Sequence, residues 1–197
     1  MQMAEIELKF PVVDVAALQS QLPGLGFALV TARTFESNTL YDTADHLLRG
    51  SHQTLRLRQY GELWTVTHKR HPDDEDPAQA DVHYKVRIET ETAVSDGPSL
   101  AEILTRLGYT PMFRYEKFRT EWSQGQAHLV VDETAIGSFA ELEGPITWID
   151  ETLARLRIDP GVCLTESYGK LFLAWKERSG SSAENLTWDE IGVAVGV

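Results

Sequence analysis

Polar and apolar residues alternate along much of this chain. In "AEIELKF" Glu5, Glu7 and Lys9 share one parity, and Ile6, Leu8 and Phe10 share the other. That period of two is the period of a β-strand, whose side chains point to opposite faces in turn. "RTFESNTLYDT", "QTLRLRQYGELWTVTHKR", "HYKVRIETET", "FRYEKFRTEWS", "QAHLVVDETA" and "GSFAELEGP" repeat the pattern. Tyr60-Gly61-Glu62 and "QGQ" supply turns between adjoining runs, which predicts hairpins and antiparallel pairing. Helical periodicity appears in four places. "VVDVAALQSQLPGLGF" starts near Val13 or Asp14 and is stopped by Pro23, Gly24 and Gly26. "SLAEILTRLGY" offers Ser99 as N-cap with Glu102 three residues on, and Gly108 as its stop. "WIDETLARLRI" and "ESYGKLFLAWKER" complete the set, while "HPDDEDPAQADV" reads as a polar loop. Strands outnumber helices, so the class is α+β.

The residues on the polar faces are less ordinary than the alternation. Arg56 and Arg58 share a face, as do Thr65, Thr67 and Lys69. So do Lys85, Arg87, Glu89 and Glu91, and again Lys117, Arg119 and Glu121. Asp132 is in register with His128 and Val130, and Glu141 and Glu143 with Phe139. One such strand is an ordinary solvated sheet face. Seven strands carrying long-armed acids and bases in i, i+2 doublets point instead to a sheet curled on itself, with helices outside and charge inside. Buried charge is costly unless paired or bound to something. A polyanion accompanied by a divalent cation meets that cost. Basic side chains would clamp phosphate oxygens, and carboxylates would hold Mg²⁺ or Mn²⁺. The expectation is a phosphate-chain site with a metal inside a barrel.

Composition narrows the function classes. The 197 residues are 42% hydrophobic and 24% charged, which suits one globular domain. The net charge of −12 argues against nucleic acid as a partner, because that needs a broad basic surface. No apolar run approaches the roughly 20 residues of a membrane span. The N-terminus lacks a basic stretch followed by an apolar one, so no signal peptide is expected. Cys163 is the single cysteine, which rules out an internal disulfide and fits a reducing cytoplasm. His46, His52, His83 and His128 lack zinc-ligand spacing, and parity puts His68 on the face opposite Lys69.

The ordered set of motifs resembles the CYTH domain, the group of class IV adenylyl cyclases and thiamine triphosphatases also called triphosphate tunnel metalloenzymes. Glu5-Ile6-Glu7-Leu8-Lys9 is similar to its opening signature. "LYDT", "LRLR", "TVTHK", "VRIE", "EKFRTEW", "VVDETAIGSFAELEG" and "SYGKLFL" follow in the family's order, covering about residues 3–176. The resemblance implies a closed, mainly antiparallel eight-stranded β-barrel over residues 1–178 and a C-terminal tail over 179–197. It implies that Glu5, Glu7, Glu89, Asp132, Glu141 and Glu143 serve the metal. It assigns Lys9, Arg56, Arg58, Lys69, Arg87, Lys117, Arg119 and Lys170 to the triphosphate. Tyr41 and Lys69 match a Tyr–Lys pair that assists hydrolysis in some tripolyphosphatases. Lys85 and Glu91 depart from the family pattern and are placed at the tunnel mouth. The expected activity is metal-dependent hydrolysis of tripolyphosphate, thiamine triphosphate or another organic triphosphate. An adenylyl cyclase acting on ATP and a non-catalytic binder of phosphorylated ligands stand as alternatives, and oligomeric state is left open.

Overall fold

The computed structural model describes residues 2–71 and 84–192, with side chains from residue 6 onward. Eight strands run β1 (Gln2–Val12), β2 (Ala28–Thr43), β3 (Thr54–Tyr60), β4 (Leu63–Arg70), β5 (Lys85–Val94), β6 (Tyr109–Gln124), β7 (Ala127–Thr134) and β8 (Gly137–Glu143). They close into a barrel in the order β1-β5-β4-β3-β2-β6-β7-β8, and every neighbouring pair is antiparallel. Gly61, with φ near 57°, sits between β3 and β4 in a backbone region that costs other residues energy.

Closure puts the apolar parity outside, under helices. Leu8, Phe10, Leu129, Val131, Ala140 and Leu142 are buried beneath α1 (Val15–Gln21) and α4 (Ile146–Leu156), which contribute Leu18, Ile149 and Leu153. Asp14 caps α1 by accepting the Ala17 amide at 2.9 Å. A separate outer cluster of Tyr41, Leu57 and Leu104 lies under α3 (Gly97–Arg106). The cap of α3 is Asp96, which accepts both the amide and the hydroxyl of Ser99. The helix therefore starts before Ser99, and Pro98 occupies its first turn. Two short helices, α2 (Leu47–Gly50) and α6 (Trp188–Ile191), were not foreseen. Asp42 organises α2 by accepting the Leu48 and Arg49 amides at 2.9 Å each.

The remaining helix, α5 (Tyr168–Ser179), closes the barrel interior rather than covering its outside. Its Tyr168 and Phe172 pack on Tyr115 and Phe139, with Leu40 and Phe113 beside them. Strand pairing puts Leu40, Phe113, Tyr115 and Phe139 on the interior face. Single-residue bridges fix the chain on either side of α5. Leu164 exchanges two backbone hydrogen bonds with Lys9, on β1 beyond the last β5 partner. Leu186 receives the Glu116 amide and donates to the Arg114 carbonyl, on β6 beyond the last β7 partner. Ala183 and Leu186 are buried, so residues after Arg178 pack onto the barrel.

Candidate active site

Antiparallel partners point to the same face, so pairing fixes which side chains enter the lumen. Eight cations do so: Lys9, Arg56, Arg58, Lys69, Lys85, Arg87, Lys117 and Arg119. They are eight of the chain's 18 lysines and arginines, inside a protein of net charge −12. Basic charge is thus concentrated in the tunnel.

The most buried part is a network across β1, β8, β7, β6 and β2. Asp132, fully buried, accepts Nε and Nη2 of Arg119 at 2.7 Å each and Nζ of Lys117 at 2.8 Å. The hydroxyl of Tyr168 donates to the same carboxylate at 2.7 Å. Glu141 takes Arg119 Nη2 at 2.7 Å and pairs with Lys9. The Tyr168 ring lies under two ammonium groups, with its centroid 4.4 Å from Lys9 Nζ and 4.9 Å from Lys117 Nζ. Burial opposes charge on Glu141, yet Lys9, Arg119 and Lys117 hold its pKa well below the carboxylate range. Burial likewise opposes charge on Lys9, but Glu141 and Glu7 raise its pKa. Burial, with Asp132 and Glu141 beside it, pushes the Tyr168 phenol well up, so it stays a donor.

Two members of this network were not singled out from sequence. One is Tyr168, read there only as part of a helix. The other is Glu36, fully buried on β2, with Lys117 at 3.4 Å, Arg119 at 3.9 Å and Arg58 at 4.0 Å. Burial disfavours its charge, but Lys117, Arg119, Arg56 and Arg58 lower its pKa to about 2. Asn38, two residues on, donates Nδ2 to Glu36 at 2.8 Å. The signal was present: Glu36, Asn38 and Leu40 share the parity that pairs with Tyr60, Arg58 and Arg56.

The opposite wall is looser. Arg56 and Arg58 reach Glu91 at 3.5 and 3.3 Å, and Thr67 donates to Glu91 at 2.5 Å. Lys69 pairs with Glu89, and Lys85 with Glu7. Lys85 and Glu91, set at the mouth by the sequence reading, face the lumen here.

Two expected residues fall outside this assembly. Tyr41 pairs with Leu55 and is buried in the outer cluster with Leu57 and Leu104, so the sheet separates it from the lumenal Lys69. The expected Tyr41–Lys69 catalytic pair is therefore not assembled, because Tyr41 has the parity opposite to Glu36, Asn38 and Leu40. Lys170 is exposed on the first turn of α5 and not in the buried network. The tyrosine that α5 brings to the charges is Tyr168.

Of the expected metal ligands, Glu7, Glu89, Asp132, Glu141 and Glu143 face the lumen, while the side chain of Glu5 lies outside the described residues. Glu7 and Glu143 are direct register partners. Carboxylates facing each other at that spacing repel unless a cation lies near them, and oxygen donors suit a hard divalent ion. Asp132 and Glu141 have their oxygens committed to Arg119, Lys117 and Lys9. Among the described residues no three acidic, histidine or cysteine side chains converge into a ligand set. Glu7 is paired with Lys85 as well, so an ion at the register pair Glu7 and Glu143 would compete with that lysine, Glu5 being next on the same strand.

Comparison with known proteins bears on this architecture. The family model for the CYTH domain matches residues 3–153. Among solved structures, protein PH1819 of Pyrococcus horikoshii superposes with a TM-score of 0.71 at 20% identity, covering 87% of this chain and 99% of that one. A candidate adenylate cyclase of Vibrio parahaemolyticus gives 0.69 at 19% identity, covering 86% and 97%. A candidate adenylyl cyclase of Hippeastrum with a dominant triphosphatase activity gives 0.58 at 18%, covering 89% and 96%. No curated protein matches the chain in sequence. With the family model spanning most of the chain and its strands closing into the same kind of charged barrel, the protein belongs to the CYTH family.

Proposed function

We propose that the protein is a divalent-metal-dependent triphosphatase that holds a triphosphate in the barrel lumen and hydrolyses a phosphoanhydride bond. The observation that carries this reading is the convergence of Lys9, Lys117 and Arg119 on one buried centre, with Arg56 and Arg58 facing it. CYTH proteins are typically enzymes, and the family is metal-dependent in general. In phosphoryl transfer the protein contributes mainly positioning and charge stabilisation. Guanidinium and ammonium groups donate to non-bridging oxygens and stabilise charge as the bond breaks. Asp132 and Glu141 keep Arg119 and Lys117 aimed, while the Tyr168 ring keeps Lys9 and Lys117 apart. A divalent ion held by Glu7, Glu143 and Glu5 would supply Lewis-acid neutralisation of phosphate oxygens. Mg²⁺ and Mn²⁺ both suit that oxygen set.

The test is a substrate panel of tripolyphosphate, thiamine triphosphate and ATP with Mg²⁺ and with Mn²⁺, following phosphate release and cyclic AMP together. Phosphate release from a triphosphate is the expected result. Cyclic AMP as the main product from ATP replaces the triphosphatase with a cyclase. Tight binding without turnover in either metal replaces it with a binder.

A further inference from the structure

Arg87, one of the residues assigned to the triphosphate, stands beside two histidines that sequence did not assign to it. Thr54, Lys69 and Glu89 form one rung across β3, β4 and β5. One step further, beyond the last paired residues of β3 and β4, stand His52 and His71, with Arg87 next to them on β5. Their contacts agree with that register: the two imidazole centroids lie 5.5 Å apart, and Arg87 Nη1 is 3.4 Å from His71 Nδ1. Both histidines are solvent-exposed and Arg87 is half-buried, so this rung is at a rim. Along the strand, His52 is about 13 Å from Arg56.

Two features set this rung apart from incidental surface histidines. His52 holds φ near 56°, a left-handed conformation that strains a non-glycine residue. The turn is anchored from the opposite sheet face, where Gln53 Oε1 lies 2.7 Å from His68 Nε2. The second feature is charge balance. Among the described side chains, the neighbouring carboxylates Glu7 and Glu89 pair with Lys85 and Lys69, and both also attract Arg87. Burial, then Arg87 and His52, lower the His71 pKa, the direction that neighbouring cations produce.

We propose that His52, His71 and Arg87 form an anion-binding rung at the rim, which receives a phosphoryl group of the polyphosphate chain lying beyond those held by Lys9, Lys117 and Arg119. The proposal rests on the triphosphatase reading for its ligand and extends that site toward solvent. The bound anion accepts from the Arg87 guanidinium and from both imidazoles, and it favours their protonated forms.

The test is NMR of the histidine imidazoles of the full chain, titrated with orthophosphate and with tripolyphosphate, alongside calorimetry. The His52 and His71 signals should move together, with their pKa values rising by about one unit, and His71→Asn should abolish the His52 response and weaken tripolyphosphate binding several-fold. If tripolyphosphate binds while both histidines stay unmoved, the rung is wrong and the triphosphatase reading stands. If tripolyphosphate is neither bound nor hydrolysed but orthophosphate still moves both, that reading falls and the rung stands. If neither probe moves them, the rung is overturned.

Discussion

The two walls of the lumen hold the same kinds of residue under opposite conditions. On the β1–β8–β7–β6–β2 wall, Lys9, Glu36, Lys117, Asp132 and Glu141 are buried and tied together by short contacts. On the β3–β4–β5 wall, Arg56 and Arg58 meet a Glu91 whose side chain is 37% exposed, at 3.3–3.5 Å. Buried ion pairs are held by geometry, and losing one partner strands the other without water. Half-exposed pairs are screened and contribute little to stability. One wall is therefore both structure and clamp, whereas the other is nearly all clamp. Mutations separate the two roles.

The largest effect is expected for Asp132→Ala. It removes the Tyr168 hydroxyl's acceptor and one carboxylate partner each from Arg119 and Lys117, which keep Glu141 and Glu36. Denaturant unfolding should show a loss of about 3–5 kcal/mol, and turnover should fall at least roughly 100-fold. Equal stability in the variant and the parent breaks the contrast between walls. Glu36→Gln comes next. Because the folded-state pKa of Glu36 is depressed to about 2, its contribution is present above the unfolded pKa and is lost as pH falls from about 4.5 to about 2. That contribution is roughly 3 kcal/mol. The variant should flatten the acid limb of a stability–pH profile in that window, and an unchanged limb removes Glu36 from the network.

Arg56→Ala on the looser wall should lower the melting midpoint less than Asp132→Ala does, through the loss of its attraction for Glu36. Its substrate contact is charge-assisted, worth about 1.5–3 kcal/mol, so kcat/KM should fall about 10- to 100-fold. A large stability loss with intact kcat/KM reverses the assignment of the two walls. The smallest effect is expected for Tyr41→Phe, because the outer cluster keeps Tyr41 on the far side of the sheet from Lys69. Steady-state rates should remain within about twofold of the parent, that is under about 0.5 kcal/mol. A drop of tenfold or more puts Tyr41 back into the chemistry.

What could be read from the sequence was whatever depends on parity alone. Alternation placed Lys9, Arg56, Arg58, Lys117, Arg119 and Asp132 on one face, and a charged face without solvent implied closure. Tyr41 was placed by motif likeness, although counting from Glu36 puts it on the other face. Tyr168 was invisible for a different reason. It enters the lumen only because α5 folds back into the barrel, a long-range packing event that no local period encodes. The α3 start was misjudged because Asp96 and Ser99 both have capping chemistry, and tertiary context selects Asp96.

The bridges through Leu164 and Leu186 have a consequence for cooperativity. The family match ends at residue 153, yet the helix that supplies Tyr168 lies beyond it. Each bridge occupies a stretch of strand edge whose sheet neighbour has ended, and an unpaired edge is a template for adding another chain. Residues 164–186 therefore act as selvage to the woven barrel. They finish its raw edges, and residues 164–186 should open and close with the sheet as one exchange unit rather than fray separately.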